Sequence, residues 1–205
     1  MFNKDGFKKI GEDIYVYENF VSKSDCEDIL EEIKKIKEDE WFNLSSELHS
    51  VSKQKVEKIK LIREKIESIL EKDYFVGFNT NPVRMKIGAK WGEHSDDTDF
   101  KDIVEASKKY KSGEDFDLAD NTQMGLIVYF NDFKGGEVYY PNQNIEYAPK
   151  RGDLLIHSAF EHCMHGVKTV TSGIRYSYSN HIFNQIKVPK GYNFFDSQSM
   201  KKNDI

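Results

Sequence analysis

Cysteine, long apolar runs and an excess of positive charge are all scarce in this chain. Only two cysteines occur in 205 residues, Cys26 and Cys163, far apart and in no metal-ligand spacing. They make no disulfide framework, and a reducing compartment is the expectation. No apolar run approaches the roughly 18–20 residues that a membrane span needs. The stretch from Met1 to Ile10 is polar and lysine-rich with no apolar segment behind it, so no secretory signal is read and a cytoplasmic location is expected. Thirty basic residues face 35 acidic ones, a formal charge of −5, which argues against a dedicated binder of nucleic acid or anionic membrane. Fixed-period repeats, low-complexity tracts and Pro/Gly/Ser linkers are missing too, so a single domain over 1–205 is expected. The chain does have 38% hydrophobic and 13% aromatic residues, enough for a core and too many for wholesale disorder.

The texture changes along the chain. Asp13 to Phe20 alternates apolar and polar residues like a short strand. Ser24-Asp-Cys-Glu27 reads as a capping box, and Ile29, Leu30, Ile33 and Ile36 then recur at helical spacing up to about Asp39. A second helix is predicted from about Ser52 to Lys72, with Val56, Ile59, Ile62, Ile66, Ile69 and Leu70 as its buried stripe and Lys and Glu on its solvated face. From Tyr74 the pattern is β: candidate strands are Tyr74–Asn79, Pro82–Ile87, Gly125–Asn131, Gly136–Tyr140, Gly152–His157 and Arg175–Phe183, punctuated by Asn131-Asp132 and Gly135-Gly136. Helices first and short strands afterwards predict an α+β arrangement, a jelly roll or sandwich (β-core about 74–185) buttressed by N-terminal helices (about 20–72). The polar stretch between Phe100 and Thr122 is long for a loop in a compact domain. From Glu93 to Asp120 ten acids stand against four lysines, and 97–122 is a candidate lid or a solvated insertion.

His94 and Asp96, in Trp91-Gly-Glu-His-Ser-Asp96, are the most informative residues. In an extended segment, residues two apart share a face, so an imidazole and a carboxylate would project side by side. That is two-thirds of the 2-His-1-carboxylate triad of non-haem Fe(II) oxygenases, which leaves coordination positions open. Three histidines, His157, His162 and His165, follow the strand ending at Ile156 and compete for the third place. His157 ends an apolar run and reads as a strand residue; His165 is followed ten residues later by Arg175, whose guanidinium suits a carboxylate clamp on the neighbouring strand. Ser177 shares the face of Arg175, and Tyr129 offers a further donor if it points inward. Trp91 and the Tyr139-Tyr140 pair are candidates for the mouth of the site.

Together these pieces resemble the 2-oxoglutarate- and Fe(II)-dependent dioxygenases of the prolyl 4-hydroxylase-like group. The resemblance runs from Ile14 to Phe183. It is carried by Tyr15-Val-Tyr-Glu-Asn-Phe20 with the helix start to Cys26, by Trp91-Gly-Glu-His94-Ser-Asp96, and by Tyr129-Phe-Asn-Asp-Phe-Lys-Gly-Gly-Glu137. Pro149-Lys-Arg-Gly152-Asp-Leu-Leu-Ile156 and His165-Gly-Val with Gly173-Ile-Arg175-Tyr-Ser177 complete it. It implies a double-stranded β-helix, His94, Asp96 and His165 as iron ligands, and Arg175 on the distal carboxylate of 2-oxoglutarate, assisted by Tyr129 and Ser177. It also implies O2 as co-substrate and ascorbate as reductant. One tyrosine that such enzymes commonly carry near the metal strand is missing, because the neighbourhood reads Arg84-Met85-Lys86. Either Arg84 or Lys86 then stands in for it, or the grip on the co-substrate is looser.

The implied reaction hydroxylates a substrate C–H while 2-oxoglutarate is decarboxylated to succinate. By the same resemblance the substrate is a peptidyl proline, with a free amino acid or small metabolite as the alternative. Nucleobase repair fits poorly, since no basic, aromatic-interleaved groove is evident. From another class, a catalytically silent metal-binding jelly roll has the same motifs without turnover.

Overall fold

The computed structural model describes residues 1–45, 48–51, 56–77, 79–96 and 122–184. The chain opens with a hairpin, β1 (Lys8–Gly11) antiparallel to β2 (Ile14–Tyr17). Val21 N–H then donates to the Gly152 carbonyl at 2.9 Å, which fixes where the strand ends and α1 (Lys23–Lys34) begins. The cap is therefore Ser22 rather than the expected Ser24. Its hydroxyl oxygen accepts from the Asp25 N–H at 3.1 Å and its O–H donates to the Asp25 carboxylate at 2.6 Å. The Ser-x-x-acid spacing occurs twice in overlapping register, and the copy nearer the anchored strand end is used.

The second helix is shorter than the 52–72 predicted, because its N-terminal flank is drawn into a sheet. Leu48–Val51 (β4) pairs with β3 (Trp41–Ser45) on one side and with β6 (Val83–Met85) on the other. α2 spans Glu57–Glu67. It ends where Ile69 and Leu70 donate to the carbonyls of Ile66 and Glu67 in tight turns, after which Leu70 bridges to Phe2. Of the predicted stripes, Ile29 and Ile33 on α1 and Ile59, Ile62 and Ile66 on α2 are buried, as are the flanking Ile36 and Val56, while Leu30, Ile69 and Leu70 are only partly buried; Cys26 joins the α1 face. The order of elements is not simply helices first, since strands precede α1 and a hairpin separates the two helices.

The remaining strands are β5 (Tyr74–Val76), β7 (Trp91–His94), β8 (Thr122–Tyr129), β9 (Lys134–Gly135), β10 (Val138–Tyr140), β11 (Ile145–Tyr147), β12 (Leu154–Ser158), β13 (His165–Val167), β14 (Val170–Ser172) and β15 (Arg175–Asn184). Each of the six predicted strands overlaps one of these elements. The candidate lid, and the acidic stretch beyond Asp96, lie outside the described residues apart from Thr122. The large antiparallel sheet has the order β1-β2-β12-β8-β15-β6-β4-β3, with β5 also on β15, and a second sheet runs β11-β10-β13-β7.

The two-residue period of the central strands sorts side chains between two cores. Leu126, Val128, Leu154, Ile156, Tyr178 and Ile182 share one cluster with Ile29, Ile33, Ile59 and Ile66 of the helices. Burying each such isoleucine fully is worth about 1.5–3 kcal/mol. The opposite face puts Ile127, Tyr129 and Leu155 against Val138 and Tyr140 of the second sheet. The space between the two sheets is where the site residues converge. Among the described residues no helix is long and apolar enough to cross a membrane.

Gly152 joins these layers. It has φ +89°, its N–H donates to the Tyr129 carbonyl, and a Cβ there would lie 2.4 Å from the Val21 carbonyl oxygen. Gly152→Ala should therefore destabilise the protein by about 2–4 kcal/mol. The check is the urea midpoint, and an unchanged midpoint would refute the anchoring role.

Candidate active site

His94 ends β7 and His165 begins β13, and the two residues are direct partners in the antiparallel register. Their rings stand 4.4 Å apart between centroids. Asp96 follows two residues after His94, with its Oδ1 3.8 Å from His94 Nε2. One ligand atom from each of His94, Asp96 and His165 lies within 4.8 Å of the other two.

The tautomers suit a metal. His94 Nδ1 is 2.9 Å from the Gly92 carbonyl, and His165 Nδ1 is 3.2 Å from that of Cys163. A carbonyl only accepts, so each Nδ1 carries a proton, the tautomer that turns Nε2 toward a metal. Burial, reinforced by His157 and His94, pushes the His165 pKa down to about 3, so its imidazole is neutral and able to ligate. Burial alone would raise the Asp96 carboxyl, but the imidazoles of His181, His157 and His165 outweigh it and hold the group well below the usual carboxylate range. Two imidazoles and one carboxylate are the donor set for a divalent iron-type ion with open positions.

Beneath Asp96 lies a feature that the sequence reading missed. Gly125 of β8 is paired with His157 of β12 on one side and with His181 of β15 on the other. The Asp96 carboxylate sits over this row, with Oδ2 3.9 Å from His157 Nε2 and Oδ1 3.5 Å from His181 Nε2. A Cβ on Gly125 would come within 2.1 Å of Asp96 Oδ2 and 2.9 Å of His157 Nε2. His157 had read as an ordinary strand residue and His181 had no assigned role. The available signal was spacing: His181 is an even number of residues beyond Arg175 and Ser177, and so shares their face. His162, the other competitor, stands apart from the cluster, with Nε2 3.2 Å from Asp13 Oδ2.

The strand register also assembles the anion end. Ser177 faces Tyr129 directly, and Arg175 faces Met85 of β6. Arg175 is buried, with its guanidinium 5.1 Å from the Tyr129 ring centroid and 3.5 Å from the Tyr129 hydroxyl. One terminal nitrogen meets Met85 Sδ at 2.8 Å. Its Nε and the Ser177 hydroxyl are buried without a hydrogen-bond partner among the described residues. Buried guanidinium and hydroxyl groups left in this state are costly unless an anion completes them, and a carboxylate fits both. Burial, only partly offset by Arg175, raises the Tyr129 pKa, which keeps the phenol a neutral donor.

Arg84 and Lys86 do not substitute for the missing tyrosine. Both turn away to Glu38, Arg84 with contacts of 2.8 and 2.6 Å and Lys86 at 2.8 Å, while Arg84 also lies over the Trp41 ring. Alternation puts Met85, not its neighbours, on the Arg175 side. The Tyr139-Tyr140 pair is split the same way. Tyr139 joins Trp91, Lys90, Glu137 and Lys168 around an open groove of about 660 Å³, whereas Tyr140 is fully buried. Cys26 and Cys163 are buried free thiols pushed up to about 11 by burial, which leaves them inert at neutral pH.

No protein-family model and no curated protein matches this chain. Solved structures do. The viral collagen prolyl hydroxylase of Paramecium Bursaria Chlorella virus-1, in a 2OG complex, superposes with a TM-score of 0.57 at 20% identity, covering 85% of this chain and 97% of that one. A prolyl hydroxylase of Trichoplax adhaerens, in complex with a hypoxia inducible factor oxygen degradation domain peptide fragment, gives 0.62 at 15% identity over 88% of each chain. A Pseudomonas putida prolyl-4-hydroxylase gives 0.56 at 13% identity, covering 84% of this chain and 92% of its own. The shared fold is the jelly roll of the 2-oxoglutarate oxygenases.

Gly125→Ala should leave the protein folded but lower its affinity for a divalent ion about 10–100-fold, because the added methyl displaces the Asp96 carboxylate. Calorimetric titration with Mn(II) reads the affinity and circular dichroism the fold; wild-type affinity in a folded variant would refute the placement of Asp96 over Gly125.

Proposed function

We propose that this protein is an Fe(II)- and 2-oxoglutarate-dependent dioxygenase that hydroxylates a C–H bond, with a peptidyl proline as substrate. The observation that carries this reading is the pairing of two features between the sheets: the His94/Asp96/His165 donor set, and a buried Arg175 guanidinium with no carboxylate partner among the described residues. Solved structures that share the fold are prolyl hydroxylases, one of them holding a peptide.

In this reading His94, Asp96 and His165 hold the iron. When bound with 2-oxoglutarate and O2, the iron supplies the oxidising power that inserts one oxygen atom into the substrate while the co-substrate becomes succinate and CO2. Arg175 binds the distal carboxylate of 2-oxoglutarate, the Tyr129 and Ser177 hydroxyls donate to it, and together they set the depth at which the keto-acid end reaches the metal. The His157–Gly125–His181 row holds Asp96 in position from below. The apolar layer of Ile127, Leu155 and Val138 keeps water from the inner side of the cavity. Trp91, its ring centroid 5.9 Å from that of His94, joins the metal residues to the open groove, the place this reading gives to an extended peptide. Residues 1–205 act as one domain whose helices buttress the large sheet, ascorbate serves as the reductant, and the cytoplasm is the site of action.

The test combines purified protein, Fe(II), ascorbate and labelled 2-oxoglutarate, with and without proline-containing peptides. Peptide-stimulated succinate release with one added oxygen atom in the peptide is the expected outcome. Turnover stimulated only by amino acids or other small molecules would replace the substrate, and no turnover despite tight binding of both ligands would mean a silent binding module. Asp96→Ala should abolish succinate release. Arg175→Met should weaken 2-oxoglutarate binding about 100-fold, the loss expected for one partner of a buried charge pair, and unchanged 2-oxoglutarate affinity would remove Arg175 from the assignment.

A further inference from the structure

We infer that Tyr140 supplies the phenol that holds the 2-oxoglutarate co-substrate, in place of the tyrosine missing at Arg84-Met85-Lys86; the inference rests on reading the cavity as a 2-oxoglutarate site. Tyr140 is fully buried, and its hydroxyl has no hydrogen-bond partner among the described residues. Three other phenols are served: Tyr178 donates to the Asn79 carbonyl at 2.8 Å, Tyr147 donates to Asp153, and Tyr15 accepts from Lys4 at 2.8 Å. Leaving a buried hydroxyl unpaired costs about 1–3 kcal/mol. A phenylalanine would fill the same space without that cost, so packing does not account for the oxygen.

Its position does account for it. The Tyr140 ring lies 5.8 Å from the His165 ring and 5.7 Å from that of His157, and it shares a cluster with Tyr129, Leu155 and Val138 between the sheets. Tyr140 thus touches the rings of His165 and His157 and shares a cluster with Tyr129, whose hydroxyl and ring Arg175 meets. Three of the buried polar groups without partners among the described residues, Arg175 Nε, Ser177 Oγ and the Tyr140 hydroxyl, belong to the strands that wall this space. A 2-oxo dicarboxylate offers acceptor oxygens at both ends. A phenol is a donor as well as an acceptor, so the Tyr140 hydroxyl can donate to either end.

The test is Tyr140→Phe in the full-length protein loaded with Mn(II), with 2-oxoglutarate titrated by calorimetry and the metal-free melting temperature measured in parallel. The expected result is a roughly tenfold rise in the 2-oxoglutarate dissociation constant, with Mn(II) affinity unchanged and the metal-free melting temperature unchanged or raised. Equal 2-oxoglutarate affinity in variant and wild type would overturn the role of Tyr140 while leaving the oxygenase reading intact. A weakened affinity that comes with a lowered melting temperature or lost Mn(II) binding would also overturn it, as a packing effect. Failure of the wild-type protein to bind 2-oxoglutarate would overturn the underlying reading itself.

Discussion

The antiparallel pairing of β15 with β8 is the constraint on which the rest depends. Ser177 lies opposite Tyr129, Ser179 opposite Ile127 and His181 opposite Gly125. Because side chains alternate, that register sends Arg175, Ser177 and His181 toward the second sheet and Tyr178 and Ile182 toward the helices. A slip of one residue would exchange the two sets, placing isoleucine and tyrosine over Asp96 and its histidines and an arginine in the helical core. The site and the main core are thus written on opposite faces of the same strands. The apolar face specifies the register, and through it the position of the polar one.

Burial of charge follows from this arrangement. Removing an ion from water costs several kcal/mol even after relaxation, and this protein buries an anion and a cation on one inner face without pairing them. Asp96 is met by imidazoles, and Arg175 by a thioether, a phenol ring and a hydroxyl. The row of Ser179, Ile127 and Leu155 lies between the two levels of the sheet. A cavity polarised in this way favours a cation at the Asp96 end and an anion at the Arg175 end, which is the charge distribution of a metal ion carrying a chelating dicarboxylate. The same separation would destabilise the empty fold, so ligands should add measurably to stability through linkage.

Much of this was legible in the sequence wherever a period was involved. The helix stripes at Ile29/Ile33 and Ile59/Ile62/Ile66 follow the 3.6-residue repeat, and the six candidate strands follow turn residues and β-branched runs. Arg175 and Ser177 share a face by their spacing on β15, whereas His94 meets His165 and Ser177 meets Tyr129 through strand register, and Asp96 lies just beyond the end of β7. What escaped lacked a period. The hairpin of β3 and β4 was invisible because Leu48, His49, Ser50 and Val51 are all buried, so polarity does not alternate. The roles of His157 and His181 depend on which strands lie beside β8, and sequence spacing says nothing about lateral order. Gly125 carries no signal of its own; its meaning comes from the carboxylate above it.

The departure at Arg84-Met85-Lys86 follows the same logic. On β6 the alternation sends Arg84 outward to Glu38 and Trp41 and turns Met85 inward. Met85 joins Leu48, Ala89, Val167 and Val170 in an apolar patch beside Arg175. That patch takes the position from which a phenol on this strand would reach the anion, and its thioether can offer the guanidinium a soft contact but cannot donate a proton. In the reading proposed above, the donor missing from β6 is supplied by the sheet opposite. There the register of β10 against β13 sets Tyr139 beside Gly166 on the outer side, so the next residue, Tyr140, turns inward toward His165. Moving the hydroxyl from one wall of the cavity to the other keeps the polar inventory of the site while changing the strand that carries it, and it explains why a buried phenol lies here without a protein partner among the described residues.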